Sequence, residues 1–266
     1  MNHKETSIHQ LPQLEELLAI ARRAGTAALS HFRQRDSLKV ENKLNDSDIV
    51  TSADRESESI ITSFIRQHYP SHSILSEESG ESQGKSGVRW VIDPIDGTTN
   101  FFSGIPFWGV SIGIERDGIR EMAVVYAPAT GEMFHAVRGE GAFLNGRRIH
   151  ASSENRLSRA VVSTGFPVDK DVNPDNNLDN VARVLPRIRD LRRLGAAAVD
   201  ICYVAAGFLD AFWELNLHEW DVHAATLVLE EAGGIASRFR EGRGISVLCS
   251  SEPIHSALLS LLGQLP

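Results

Sequence analysis

The segment Trp90-Val91-Ile92-Asp93-Pro94-Ile95-Asp96-Gly97-Thr98-Thr99-Asn100-Phe101 constrains the fold more than any other stretch of the chain. An apolar, strand-like run enters a carboxylate, then a rigid proline, a second carboxylate and a Gly-Thr-Thr turn. This pattern predicts that Asp93 and Asp96 converge at a strand end while Gly97, Thr98 and Thr99 open a helix. The free N–H groups at a helix start favour an anion such as phosphate, so a cation and a phosphate are expected to share this corner.

Around that segment the hydrophobic period changes twice. Apolar residues at Leu14, Leu17, Leu18, Ala21, Ala24, Ala28 and Phe32 recur at helical spacing and predict a first helix over 11–32. A polar loop, 41–48, precedes a second predicted helix over 52–68, which Pro70 stops. Short β-branched runs at 88–92, 110–114 and 122–126 read as strands, with Asp117-Gly118 as a hairpin turn and Asn145-Gly146 among the later turn signals up to Ile149. Beyond Ala151 strands near 161–164, 191–194, 211–215 and 245–248 alternate with helices near 177–185, 197–206, 222–232 and from Pro253. Two packed sub-domains are expected, 1–150 with mixed helix and antiparallel sheet, and 151–266 of α/β type.

Composition narrows the class. The 266 residues carry 27 Lys plus Arg against 35 Asp plus Glu, a net charge of -8, which makes nucleic acid an unlikely main partner. A hydrophobic fraction of 42% with 23% charged residues is that of a soluble globular protein with a sizeable core. Cys202 and Cys249 sit in apolar stretches, as buried thiols in a reducing compartment do. The polar start, Met1 to Gln10, lacks the apolar core of a signal peptide, and the apolar run Ile201 to Leu209 is too short to span a bilayer.

Three further acidic elements accompany Asp93 and Asp96: Asp48 to Asp54 at a helix start, Ser76-Glu77-Glu78-Ser79 after Ile74-Leu75, and Trp220-Asp221 at the head of an apolar helix. Two carboxylates brought within 4 Å repel by about 4 kcal/mol at an effective dielectric of 20, so a converged cluster requires cations. Oxygen-only ligands select hard ions, and Mg²⁺ is the default because it keeps waters and accepts substrate phosphate oxygens.

These residues carry a family resemblance. Asp93 to Phe101, Glu77-Glu78-Ser79, and Trp220-Asp221 with Glu230-Glu231-Ala232-Gly233-Gly234 resemble the three signatures of the inositol monophosphatase family, and Asp48-Ile49-Val50-Thr51-Ser52-Ala53-Asp54 is similar to its fourth marker. The resemblance spans nearly the whole chain. It implies a layered α-β-α-β-α sandwich of the inositol monophosphatase and fructose-1,6-bisphosphatase type, a cytoplasmic homodimer, and Mg²⁺-dependent hydrolysis of a small phosphorylated metabolite using two or three ions. By the same resemblance Glu77, Asp93 and the Ile95 carbonyl ligate a first Mg²⁺, and Asp93, Asp96 and Asp221 a second. It assigns activation of the attacking water to Thr98, Asp48 and Glu77, and substrate contacts to Gly97, Thr98, Gly195, Ala196, Glu214 and Asp221. Ala196 departs from the family pattern, where Ser or Thr is usual, which bears on strict preference for inositol phosphate. Histidinol phosphate and fructose 1,6-bisphosphate are the alternative esters, and a regulatory or binding role on the same fold is the alternative of another class.

Several motifs have blander readings. Glu78 is expected to cap or orient, and Asp54 either serves the site or complements its helix dipole. Gly109-Val110-Ser111-Ile112-Gly113 matches a nucleophile elbow in letters, yet its alternation continues as strand, so Ser111 is expected to pack. His218 and His223 are five apart and miss the zincin spacing. Trp90, Trp108, Trp213 and Trp220 are expected in the core, and Arg187, Arg189, Arg192 and Arg193 on a solvated face, in a dimer contact or beside an anion.

Overall fold

The computed structural model describes residues 10–34, 40–42 and 49–263. Helix α1, Leu14–Arg33, and helix α2, Ser52–His68, lie near the start, with a short hairpin of β1, Val40–Asn42, and β2, Ile49–Thr51, between them. The head of α2 is a capping box: the Thr51 hydroxyl accepts the Ala53 N–H at 3.2 Å, and Asp54 accepts the Thr51 N–H at 2.8 Å.

The first sheet has eight strands: β3 (Ser73–Ser76), β4 (Gly80–Ser82), β5 (Val88–Asp96), β6 (Gly109–Arg116), β7 (Ile119–Ala127), β8 (Glu132–Val137), β9 (Gly141–Leu144) and β10 (Arg147–Arg148). Their order is β10-β9-β8-β7-β6-β5-β3-β4, antiparallel throughout except for the parallel β3–β5 pair. The β6–β7 turn at Asp117-Gly118 has φ of 53° and 78°, and the β9–β10 turn at Asn145-Gly146 has 50° and 77°, the left-handed pair that a two-residue hairpin needs. Helix α3, Thr98–Ser103, follows β5.

The second sheet comprises β11 (Val161–Thr164), β12 (Asp190–Arg192), β13 (Ala211–Leu217), β14 (Gly234–Arg240) and β15 (Ile245–Ser251) in the order β12-β11-β13-β15-β14. Helices α4 (Leu178–Val184), α5 (Ala197–Ala205), α6 (Glu219–Glu231) and α7 (Glu252–Leu262) complete the chain.

Side-chain alternation along the strands sorts these elements into five layers. In β7, Met122, Val124 and Tyr126 pack with Leu17, Ile20, Ile61 and Ile65 of α1 and α2, while Ala123 and Val125 face α5 and α6. In the second sheet Phe212, Val247 and Cys249 join the same α5–α6 core, and Trp213 and Leu248 pack against α4 and α7. The order is helices, sheet, helices, sheet, helices, the α-β-α-β-α sandwich that the resemblance implies. Among the described residues no helix is long and apolar enough to cross a membrane.

The differences from the sequence reading have local causes. β5 runs four residues past Ile92, because a register shift against β6 between Asp93 and Asp96 absorbs Pro94. The second half is not a simple alternation, since β13, β15 and β14 pair antiparallel and β14 escapes detection with no clean apolar alternation in Gly234–Arg240. Helix α6 begins at Glu219 rather than Val222 because its polar first turn is capped from within, the His218 N–H donating to Asp221 at 2.6 Å. Phe212, 1% exposed, fills the space between α5 and the second sheet. Phe212→Ala is expected to cost about 3–5 kcal/mol of stability, checked by urea denaturation of the two proteins.

Candidate active site

Four chain segments deliver carboxylates to one cleft. Asp93 and Asp96 end β5, Glu77 follows β3, Asp221 lies in the first turn of α6, and Glu214 lies on β13. Glu77, Asp96, Glu214 and Asp221 line a cavity of about 460 Å³, together with Arg193, Gly195 and the loop Phe166-Pro167-Val168. Asp93 is buried beside it, 2% exposed, and feels the charge of Glu77, Asp96, Asp221 and Asp54.

Hydrogen bonds hold each of these segments in place. The Glu77 N–H donates to the Ile92 carbonyl at 3.2 Å, so the end of β3 is tied to β5. Glu58 of α2 accepts the Ser76 hydroxyl at 2.5 Å and the Glu78 N–H at 3.0 Å, which ties the segment after β3 to α2. Ser57 donates to the Pro94 carbonyl at 2.9 Å, and Asp93 accepts the Ile95 N–H at 3.0 Å. Asp96 accepts the Val199 N–H at 3.1 Å and thereby caps α5.

Gly97 has φ of 87° and opens the short helix α3, as expected of a glycine there. A side chain at Gly97 would stand 2.9 Å from the Ala196 Cβ and 3.0 Å from the Gly195 carbonyl, so the two loops touch. Asn100 seals the contact by donating to the Phe107 carbonyl at 2.8 Å and the Leu194 carbonyl at 2.7 Å. The start of α3 and the 194–196 loop therefore pack together; Gly195 lines the cleft, and Ala196 is 2% exposed.

The Thr98 hydroxyl lies 3.1 Å from the Ile95 carbonyl and 3.3 Å from Asp54 Oδ1. Asp48, to which the resemblance gives the supporting role, lies outside the described residues. Asp54 is fully buried: Oδ2 completes the capping box and Oδ1 faces Thr98. The contact between Asp54 and Thr98 joins residues 44 apart, so no local spacing announces it.

Burial pushes the Asp93 carboxyl well above the ordinary carboxylate range, and the neighbouring charges of Glu77, Asp96 and Asp221 push it the same way. Asp96 is also raised chiefly by burial, against the opposing N–H of Val199. Burial lifts Glu214 to about 8 and Asp200, at the start of α5, to about 7. An all-oxygen donor set whose members resist ionising together fits a hard divalent cation, which supplies the missing positive charge. Glu77, Asp93, Asp96 and Asp221 have the chemistry to hold Mg²⁺.

Other residues fall as the sequence reading has them or depart from it. Ser111 is packed within β6, and Trp90, Trp108 and Trp213 are fully buried. Trp220 is the exception: it lines the cleft, stacked on His218 with ring centroids 4.6 Å apart, because the cap of α6 turns its first residues toward the opening. Glu115, Glu219 and His223 form a second cluster with donor atoms within 4.8 Å of one another. The Arg89 guanidinium bonds both of its carboxylates and offsets one of their two charges.

The chain matches the model of the inositol monophosphatase family over residues 10–264 and belongs to that family. It is 41% identical over 232 residues to Nus factor SuhB of Escherichia coli strain K12, covering 87% of this chain and 86% of that one. The extragenic suppressor protein suhB of Bartonella henselae has the same fold with a TM-score of 0.88 and 36% identity, over 94% of this chain and 98% of that one. The Thermotoga maritima IMPase matches with a TM-score of 0.84 and 33% identity, over 94% of this chain and 96% of its own.

The raised carboxyls fix the sign of a pH effect. In the folded, cation-free protein Glu214 and Asp200 keep protons up to about 8 and 7, whereas the unfolded chain releases them near the ordinary carboxylate values of about 4. Between those limits the folded state binds more protons, so its stability falls as pH rises. Thermal denaturation after chelation is expected to give a Tm that drops from pH 5 to pH 8. Added Mg²⁺ raises it most at pH 8; a flat profile contradicts the buried cluster.

Proposed function

We propose that the protein is a Mg²⁺-dependent phosphatase of small phosphate monoesters, with inositol 1-phosphate as the first substrate. The observation that carries the reading is the convergence of Glu77, Asp96, Glu214 and Asp221 on one cleft, with Asp93 buried beside it, in a chain of the inositol monophosphatase family.

In this reading Glu77, Asp93 and the Ile95 carbonyl hold one Mg²⁺, and Asp93, Asp96 and Asp221 another, with a third near Glu77. When bound, the ions polarise the phosphoryl group and offset the charge that develops on the attacking and leaving oxygens. The Gly97 and Thr98 N–H groups, at the start of α3, hold the phosphate oxygens. Thr98 commits its hydroxyl proton to Asp54 or the Ile95 carbonyl, which leaves its oxygen free to accept from a water. The water proton passes to Thr98 as the Thr98 proton moves to Asp54, or directly to Glu77. The oxygen left behind forms its bond to phosphorus as the ester P–O bond breaks, and the alcohol departs with a proton from solvent. Glu214 meets the hydroxyls of the leaving group.

Family resemblance supports a cytoplasmic homodimer. The relatives named Nus factor SuhB favour a second reading, a binding role on the same fold. A pull-down that returns a stoichiometric partner from cell extract supports that role; an empty one removes it.

Phosphate release from inositol 1-phosphate, histidinol phosphate and fructose 1,6-bisphosphate, with Mg²⁺ and with chelator, tests the main reading. Chelator-sensitive release is expected, and Asp96→Asn lowers it by at least about 10²-fold, as loss of a preorganised electrostatic group does. Release that survives both treatments sinks the site. Asp54→Asn is expected to lower kcat by about 10²-fold with little change in KM, in line with the loss of a proton acceptor.

A further inference from the structure

We infer that Arg89, Glu115, Glu219 and His223 form a clamp that sets the rotation of α6 and so aims Asp221 at the carboxylates of β5. The inference rests on the proposed metal-dependent reading and adds positioning residues to it.

Arg89 lies on β5, four residues before Asp93. Its Nε donates to Glu115 of β6 at 2.8 Å, and its two terminal nitrogens bond both oxygens of Glu219, the Nη1 contact being 3.2 Å. His223, one helical turn after Glu219, reaches Glu115 at 3.1 Å through Nε2. Burial opposes the charged form of Arg89, yet the hydrogen bonds to Glu115 and Glu219 outweigh it and raise its pKa. The His223 and Arg89 contacts bring Glu115 down to about 2. The guanidinium of Arg89 and the carboxylate of Glu115 are thus both held charged at neutral pH.

The helix supplies the rest. Successive residues advance by about 100°, so Glu219 and His223 share a face while Asp221, between them, points about 200° away from Glu219. The clamp face meets the first sheet, and Asp221 lines the cleft. Gly113 of β6 makes the approach possible, since a Cβ there would stand 2.1 Å from His223 Nδ1. The same stripe continues along α6: Arg120 of β7 bonds Thr226 and reaches Glu230 at 2.7 Å.

Apolar packing alone does not select this rotation. Val222, Ala224, Ala225, Leu227, Val228 and Leu229 are all buried, so α6 is apolar on most sides between two sheets. Burial is non-directional, whereas a guanidinium fork between two carboxylates has one geometry. A ligand carboxylate must be held within about 0.5 Å of its productive position, and a fixed helix azimuth provides that.

The test uses the full-length protein with Mn²⁺ as the probe, its free concentration read by electron paramagnetic resonance, beside the Mg²⁺ dependence of phosphate release from inositol 1-phosphate. Arg89→Gln is expected to weaken Mn²⁺ binding and raise the half-activating Mg²⁺ concentration, each by about tenfold, as outer-sphere partners of metal ligands do. Saturating Mg²⁺ recovers most of kcat, and Arg89→Lys restores part of the affinity. In an Asp221→Asn background Arg89→Gln brings no further loss. Glu219→Gln, at a more exposed position, repeats the effect should Arg89→Gln fail to fold. Folded variants with unchanged Mn²⁺ affinity, or a full additional loss in the Asp221→Asn background, overturn the clamp. Absence of phosphate release from every ester by the wild type removes the phosphatase reading, and the Mn²⁺ titration then judges the clamp alone.

Discussion

Mutual repulsion among buried carboxylates is the constraint to which this structure is fitted. Asp93 and Asp96 are 2% and 5% exposed, three residues apart on one strand, with Glu77 and Asp221 close enough to raise the first of them further. No hydrophobic gain draws such groups together, so the scaffold has to do it. Each carboxylate is anchored through backbone that is already committed elsewhere: Glu77 through the β3–β5 pair, Asp93 through the Ile95 N–H, Asp96 through α5, and Asp221 through the cap of α6. The anchors come from the first sheet and from helices lying between the two sheets, which is why the site sits where those two layers meet.

Much of this was legible along the chain. Period-two and period-3.6 patterns located α2 and the turns at Asp117-Gly118 and Asn145-Gly146, because those features depend on neighbours within a few residues. The acidic strand end was legible for the same reason. What escaped was carried by contacts across long separations. Asp54 meets Thr98 across 44 residues, and Arg89 meets Glu219 across 130, so no local spacing announces either. β14 escaped because its residues are only partly buried and follow no clean alternation. Trp220 shows the limit of composition reasoning: a large aromatic beside an apolar helix reads as core, yet the cap of α6 brings it to the cleft.

The wall formed by α3 and the 194–196 loop shows how one residue serves packing and chemistry together. Helix α5 begins at Ala197 with Ala196 at its cap position, where no side-chain oxygen is present to accept the first N–H groups. An alanine at a cap costs about 0.5–2 kcal/mol relative to Ser or Thr when nothing replaces the oxygen. Here Asp96 replaces it, accepting the Val199 N–H from the other half of the chain. The α5 dipole in turn favours the charged form of Asp96 against its burial.

That exchange bears on what position 196 has to supply. With the cap supplied by Asp96, position 196 is free of a structural need for a hydroxyl, and Ala196 instead packs its methyl against Gly97. Ala196 is 2% exposed, and its neighbours Gly195 and Ala197 line the cleft. The cleft itself is lined by Glu214, raised to about 8 and so able to donate as well as accept, by Arg193, and by the apolar edge of Pro167, Val168 and Trp220. Such a wall combines one proton-sharing carboxyl, one cation and an apolar face. It stands on anchors separate from those of the carboxylate corner formed by Asp93 and Asp96, which are held through the Ile95 and Val199 N–H groups.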